Sequence, residues 1–335
     1  MATEETQFVL EGGKLAQSDG AQVRAPRQLD GLAVFEDMRC YRDPKAGTLY
    51  VFRLDDHMKR LVRSMNLAMM DAPCTAKKLS GLILNAVKQS DCAECCVRVT
   101  AYRVQPCDAP GGDPLAQIAI ACRGIGVSAD ADAGAQPDSD SAFGSVSDAD
   151  NDAPSISRSS MQGEHAAQAF ISSWRTIPVD SLPSAMRCVA ASSVFALAQQ
   201  EAAAFGASEA VLLNAEGLVC QSTCGNVFVV RDGVLSTPPA SSGAYDGVMR
   251  DTALNLAMDL DVPAIEEQLT RTDLRIADEA FLADDVRGIV PLICVDGHQV
   301  GKGKPGPITE ALQKHLAKAT TGNLDGYSNW LTEVK

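Results

Sequence analysis

At 335 residues the chain is too long for one small core and long enough for two domains of ordinary size. Hydrophobic residues make up 46% and aromatic residues 5%, a globular composition. The net charge of -14 excludes nucleic acid and anionic membrane surfaces as general partners. In chain order, the acidic opening stretch MATEETQFVL lacks a basic or Arg-rich targeting pattern, which predicts a cytoplasmic protein. Residues 6–20 read as two strands about a turn at Gly12-Gly13. Leu32–Tyr41 begins with apolar alternation and then takes a helical pattern. Thr48–Arg53 is a strand, and Asp55 or Asp56 is placed to cap a helix running through Met69. Thr75 caps a second helix to Gln89, and strands follow at Cys96–Val104 and Gln117–Cys122.

Residues 127–162 change character. Built from Ala, Asp, Ser and Gly, they cannot bury enough apolar surface to offset the entropy of ordering and are predicted to form an acidic linker. The linker divides an N-terminal α+β domain, 1–126, from a larger α+β domain, 163–335. The second half starts with a strand at Ala167–Trp174 and an Ala-rich helix, Met186–Phe205, ending at Gly206. Short strands are predicted at Ala210–Leu213, Leu218–Cys220, Val227–Arg231 and Val234–Thr237, then a helix at Asp251–Asp259. Strands at Ala264–Leu269, Ala280–Leu282 and Ile289–Val295, with a helical turn at Thr272–Ile276, precede a last helix, Pro307–Ala317. No apolar run is long enough to span a membrane.

Eight segments in register carry a resemblance. They are Val34-Phe35-Glu36 with Arg39-Cys40-Tyr41; Phe52-Arg53-Leu54 with His57 and Arg60-Leu61; Glu201-Ala202 before Gly206; and Asn226-Val227-Phe228 with Asp232-Gly233. The others are Thr237-Pro238-Pro239; Gly247 with Arg250; Ala277-Asp278-Glu279; and Asp296-Gly297 with Gly306-Pro307-Ile308-Thr309. Together they resemble the class IV aminotransferases, which use pyridoxal phosphate (PLP), along nearly the whole chain outside the acidic linker. Branched-chain aminotransferases are the most similar branch; D-amino-acid aminotransferases and aminodeoxychorismate lyases are similar too. The resemblance implies the two-domain α+β architecture called fold type IV, PLP held between the domains, and a homodimer whose partner completes the substrate pocket.

Several side chains that the family needs are replaced. PLP chemistry requires an amine that forms a Schiff base and then moves the substrate's α-proton. The resemblance places that lysine at Arg187, in Leu182-Pro183-Ser184-Ala185-Met186-Arg187, and a guanidinium stays protonated and cannot serve. No lysine lies between Lys88 and Lys302 to substitute for it. The glutamate that pairs with the pyridine nitrogen aligns with Gln221, which cannot supply an anion, and the tyrosine at the ring oxygen aligns with Ser192. The family cradles phosphate with one arginine, matched by Arg53, and with backbone and threonine groups at two helix N-termini. The first of these is Gly247-Val248-Met249, with Met249 in the usual place of threonine; the second is Asp284-Asp285-Val286, with Asp285 there. Like charges about 4 Å apart cost about 4 kcal/mol at an effective dielectric near 20, so a carboxylate at 285 repels phosphate. Asp285 is expected to cap its own helix and pair with Arg53 instead. No PLP is predicted to be retained.

Other chemistry is sparse. Cys188, Cys220 and Cys224 fall near the same pocket, and a cation beside a thiol lowers its pKa, so Arg187 makes them candidate reactive thiols; small core residues are the plainer reading. Phe35, Arg98 and Tyr102 are candidates for binding a small carboxylate ligand, with solvent-exposed strand positions the plainer reading of Arg98 and Tyr102. The 11 cysteines are odd in number and irregularly spaced, which predicts reduced thiols. Cys92, Cys95 and Cys96 lack the second pair that a structural zinc site needs, so no metal is predicted. Gly301–Pro307 lacks the strand, helix and Lys-Ser/Thr ending of a phosphate loop and reads as a turn. The expected function is that of a pseudoenzyme with a binding or scaffold role, as a homodimer or paired with a paralogue. PLP-independent chemistry in the old pocket is the second reading, and transamination of leucine, isoleucine and valine with 2-oxoglutarate the third.

Overall fold

The computed structural model describes residues 5–11, 14–18, 32–103, 116–125 and 166–335. The predicted turn at Gly12-Gly13 and the acidic linker 127–162 lie outside the described residues. The first half opens with β1 (Glu5–Glu11), β2 (Lys14–Ser18), β3 (Val34–Arg42) and β4 (Leu49–Phe52). Helices α1 (Leu54–Leu67) and α2 (Ala76–Gln89) follow, then β5 (Cys95–Tyr102) and β6 (Gln117–Gly124). The second half contains β7 (Ala167–Arg175), α3 (Val189–Ala204), β8 (Glu209–Leu213), β9 (Val219–Ser222), β10 (Gly225–Arg231) and β11 (Val234–Thr237). It continues through α4 (Val248–Asp259), β12 (Ala264–Glu266), α5 (Arg271–Ile276), β13 (Glu279–Asp284), β14 (Gly288–Val295), β15 (His298–Gln299), α6 (Pro307–Thr320) and β16 (Leu331–Glu333).

Among the described residues the strands form two sheets. The first, in the order β16-β4-β3-β5-β6-β1-β2, is antiparallel throughout. The second runs β12-β11-β10-β13-β14-β7-β8-β9, with β15 on β14, and is mixed: β7 lies parallel to both β14 and β8. Helices α1 and α2 cover one face of the first sheet through Leu54, Met58, Leu61, Met65, Leu79 and Ile83, packed on Val34, Met38, Cys40, Cys95 and Val97. A separate core joins α4 and α6 to the second sheet through Met249, Leu256, Leu312, Phe228 and Phe281, and draws in Phe52 of β4 and Trp330. No helix among the described residues is long and apolar enough to cross a membrane.

Several local expectations change; the helix predicted from Asp251 starts at Val248, and the strand predicted to Leu269 ends at Glu266. Residues 32–41 do not turn helical: β3 is a strand through Arg42, paired on both sides with β4 and β5. Glu36, Asp37 and Arg39 imitate an amphipathic helical pattern, yet Glu36 and Asp37 are buried and partnered. Helix α1 is not capped by an aspartate; its N-cap is Arg53, in the left-handed region at φ 51°, with Asp55 and Asp56 in the first turn, where they favour the helix dipole. The Ala-rich helix starts at Val189, three residues later than predicted, because residues 187–189 bond to β3: Phe35 N–H donates to Arg187 O at 3.0 Å and Val189 N–H to Ala33 O at 2.8 Å. The Thr75 cap is as predicted, its side chain accepting from Lys78 N–H.

Candidate functional site: an arginine between two aspartates

Successive residues of a strand face opposite ways. On β3, Val34, Met38 and Cys40 enter the helix-covered core, while Phe35 and Asp37 meet residues of the second half. Asp37 lies directly opposite Arg98 of β5, and the guanidinium holds it with two parallel bonds, Nε to Oδ1 at 2.6 Å and Nη2 to Oδ2 at 2.9 Å. Arg187, fixed on β3 by its main chain, reaches Asp37 Oδ2 through Nη2 at 2.9 Å and Asp285 Oδ2 through Nη1 at 2.8 Å. The Arg98 and Arg187 guanidiniums both lie over the Phe35 ring, 4.8 and 4.9 Å from its centroid.

The network continues inward. Arg60 donates to both oxygens of Glu36, at 3.2 and 2.8 Å, and lies 3.6 Å from Asp285. His57 Nδ1 is 3.1 Å from Glu36, and the Tyr245 hydroxyl bonds to Glu36 Oε1 at 3.1 Å and to Arg60. Arg60, Arg98 and Arg187 thus face Glu36, Asp37 and Asp285, and the charges balance within the chain. Burial pushes the Asp37 carboxyl up, but Arg98 and Arg187 outweigh it and hold it well below the usual carboxylate range. Burial acts the same way on Asp285, and Arg60 and Arg187 again bring the net shift below. Burial alone would lower Arg187; Asp37, Tyr245 and Asp285 raise it. Both ends of the two Arg187 bridges are therefore charged at neutral pH.

The anion-binding groups expected for phosphate are already bonded within the chain, several of them to carboxylates. Arg53 holds Asp56 through Nε at 2.9 Å and Asp251 through Nη1 at 2.6 Å, and also reaches Thr252 Oγ1 at 3.0 Å and Val248 O at 3.3 Å. It does not pair with Asp285, contrary to expectation. Asp285 caps no helix of its own; it sits in the turn between β13 and β14 and accepts at 3.4 Å from the Met249 N–H at the start of α4. Nearer guanidiniums, Arg187 and Arg60, take its charge. The Val286 N–H is bonded at 2.8 Å to Asp284. The Gly247 N–H goes to Tyr245 O, and a Cβ at 247 would lie 2.2 Å from Asn226 Oδ1, so only glycine fits there. Met249 and Val248 are buried, and Ser192 lies half-buried on α3. Gln221 accepts from the Tyr245 N–H at 2.9 Å. Every lysine of the chain is exposed; Lys59 shares Asp56 with Arg53, at 3.0 Å from Oδ1.

The other candidates separate from the cluster. Tyr102 packs in a small core with Ala33, Ala119 and Val189. Arg187 does not activate a thiol: burial raises the pKa of Cys188 and brings that of Cys220 to about 11. Cys224 touches Arg287 at 2.7 Å, but burial, Glu209 and Asp284 together push it well up. A groove of about 290 Å³ opens elsewhere, beside Arg42, Thr48, Lys88, Cys92 and Glu333. Sequence reasoning did not single out Asp37 or Tyr245. Asp37 stands inside a quoted motif, but only strand register shows Arg98 opposite it, and Tyr245 belongs to no motif.

The chain matches the family "Amino-transferase class IV" over residues 33–293. The branched-chain-amino-acid aminotransferase of Escherichia coli (strain K12) is 27% identical over 340 residues, covering 100% of this chain and 99% of that protein. Among solved structures, the branched-chain aminotransferase of Thermoproteus uzoniensis with norvaline superposes with a TM-score of 0.81 at 30% identity, covering 98% of this chain and 99% of that one. The enzyme of Thermobaculum terrenum in its PLP form gives 0.82 at 28%, covering 100% of both chains.

Proposed function

The chain belongs to the class IV aminotransferases, and from that membership we propose that it is a branched-chain-aminotransferase-like pseudoenzyme that neither holds PLP nor transaminates and serves as a binding or scaffold protein. Its α+β architecture is that of the fold type IV enzymes. The observation that carries the proposal is Arg187, which stands where the resemblance puts the Schiff-base lysine and is bonded to Asp37 and Asp285. PLP does not fit the residues present. Its aldehyde meets, at 187, a guanidinium that stays protonated and cannot form the imine. Its phosphate meets Asp285 at the α4 N-terminus and an Arg53 already paired with Asp56 and Asp251. Gln221 offers its ring nitrogen no anion.

The self-paired cluster also favours a scaffold over new chemistry. Asp37 already takes the carboxylate position between Arg98 and Arg187, and the nearby thiols are held protonated. We place the domain division as read from the sequence, 1–126 and 163–335, with 127–162 between them. The partner we propose is a second copy or a paralogue; the exposed Trp174, Leu197 and Phe205 offer apolar surface for it.

The test is an absorbance spectrum of the purified chain after incubation with PLP and dialysis, alongside Arg187→Lys. The native chain is expected to keep no band from a lysine imine. A retained band together with turnover of leucine would overturn the proposal.

A further inference from the structure

The side-chain bonds around Arg187 run between the two sheets. Asp37 belongs to β3 of the first sheet and Asp285 to the β13–β14 turn of the second, and one guanidinium holds both. Other arginines cross in parallel. Arg39 Nη1 donates to Val286 O of the same turn at 2.8 Å. Arg53 reaches α4, Arg60 reaches Tyr245, and Arg63 lies 3.3 Å from Asp246. Apolar contact between the halves is also present, through Phe52 and Trp330.

We propose that Arg187, forked between Asp37 and Asp285, is a clamp that holds the two sheets together over the old pocket in the ligand-free chain. A binding pocket must part its walls to admit its ligand. Here parting them strips Arg187 of one carboxylate while the other still holds it. The planar guanidinium suits that task, since its two Nη groups point at different partners in a fixed geometry. The ring of Phe35 on one wall and that of Tyr245 on the other, 4.9 and 5.5 Å from the guanidinium, keep it from swinging aside. The turn is braced from behind as well, because Arg287 bonds to Asp284 and Glu209, both at 2.6 Å. The clamp rests on the reading that this pocket no longer takes PLP.

The experiment is hydrogen–deuterium exchange on the full chain, comparing the native protein with Arg187→Met and Asp285→Asn; the second substitution is nearly isosteric and guards against simple failure to fold. Amides of β3, of residues 247–249 and of residues 284–288 are expected to exchange at least about tenfold faster in both variants, relative to β8 and α6 as internal references. An increase no larger than that of β8 and α6 overturns the clamp, because the bonds would then serve only general stability. Added PLP separates this inference from the cofactor reading: protection of the native chain by PLP overturns that reading, while the comparison of variants made without PLP still decides the clamp.

Discussion

The amide oxygen of Gln221 accepts a 2.9 Å hydrogen bond from the backbone N–H of Tyr245. That bond fixes the loop from which the Tyr245 ring covers both Arg60 and Arg187. A position that the family resemblance gives to a cofactor contact here positions an aromatic side chain over an ion network. Gln221→Leu leaves the Tyr245 N–H unsatisfied in a part-buried setting, so a loss of about 1–3 kcal/mol is expected in urea unfolding. A change within error would mean that Tyr245 is held by other contacts.

Glu36 is fully buried and is the common partner of Arg60, His57 and Tyr245. Removing one member of a buried ion pair strands the other, at a cost of about 3–5 kcal/mol. Glu36→Ala is expected to destabilise by that amount, whereas the double substitution Glu36→Ala with Arg60→Leu recovers part of the loss. Equal losses in the single and double variants would show that the pair contributes nothing beyond its packing.

The acid limb of stability follows from Asp37 and Asp285. Burial raises both pKa values, but the arginines outweigh it, and each folded-state value lies below that of the unfolded chain. A depressed pKa contributes stability that is complete above the unfolded value, about 3.9 for aspartate, and that is lost as pH falls through the folded value. The melting temperature is therefore expected to be level between about pH 5 and 7 with respect to these groups and to fall below about pH 4. Asp37→Asn, already lacking one of the charges, should show a shallower fall there; an unchanged slope would contradict the assignment.

On the proposed reading, a lysine at 187 alone should not bring PLP retention. In Arg187→Lys the Asp285 carboxylate still occupies the start of α4 and Arg53 still holds Asp56 and Asp251. Arg187→Lys combined with Gln221→Glu, Met249→Thr and Asp285→Thr supplies the amine, the anion and the hydroxyls that the resemblance calls for. Equilibrium dialysis with PLP is expected to show retention in the combined variant and not in the single one. Retention in Arg187→Lys alone would mean that Asp285 yields to phosphate.

Much of the fold was legible because its signals are local. Thr75 announces α2, Pro307 the start of α6, and Asp232-Gly233 and Asp296-Gly297 the hairpin turns. The resemblance pointed to Arg187, Gln221, Asp285 and Met249, and these lie within one bonded neighbourhood. What the sequence did not reveal was pairing at a distance. Asp285 was assigned to Arg53 by alignment with a phosphate site, but side-chain reach gives it to Arg187 and Arg60. The reading of β3 as part helix failed for a related reason: its charged residues resemble a solvent face until their buried partners, on α1 and β5, are known.

Strand β16 has a consequence for how the molecule is made. Leu331, Thr332 and Glu333 pair with Phe52, Val51 and Tyr50, and Trp330 O accepts from Arg53 N–H at 2.6 Å. During synthesis the first sheet thus waits, one strand short and with β4 at an open edge, until residues 331–333 have left the ribosome. A nascent chain stalled anywhere in the second half presents that unpaired edge to its surroundings, and it is the point at which an assisting chaperone would be most needed.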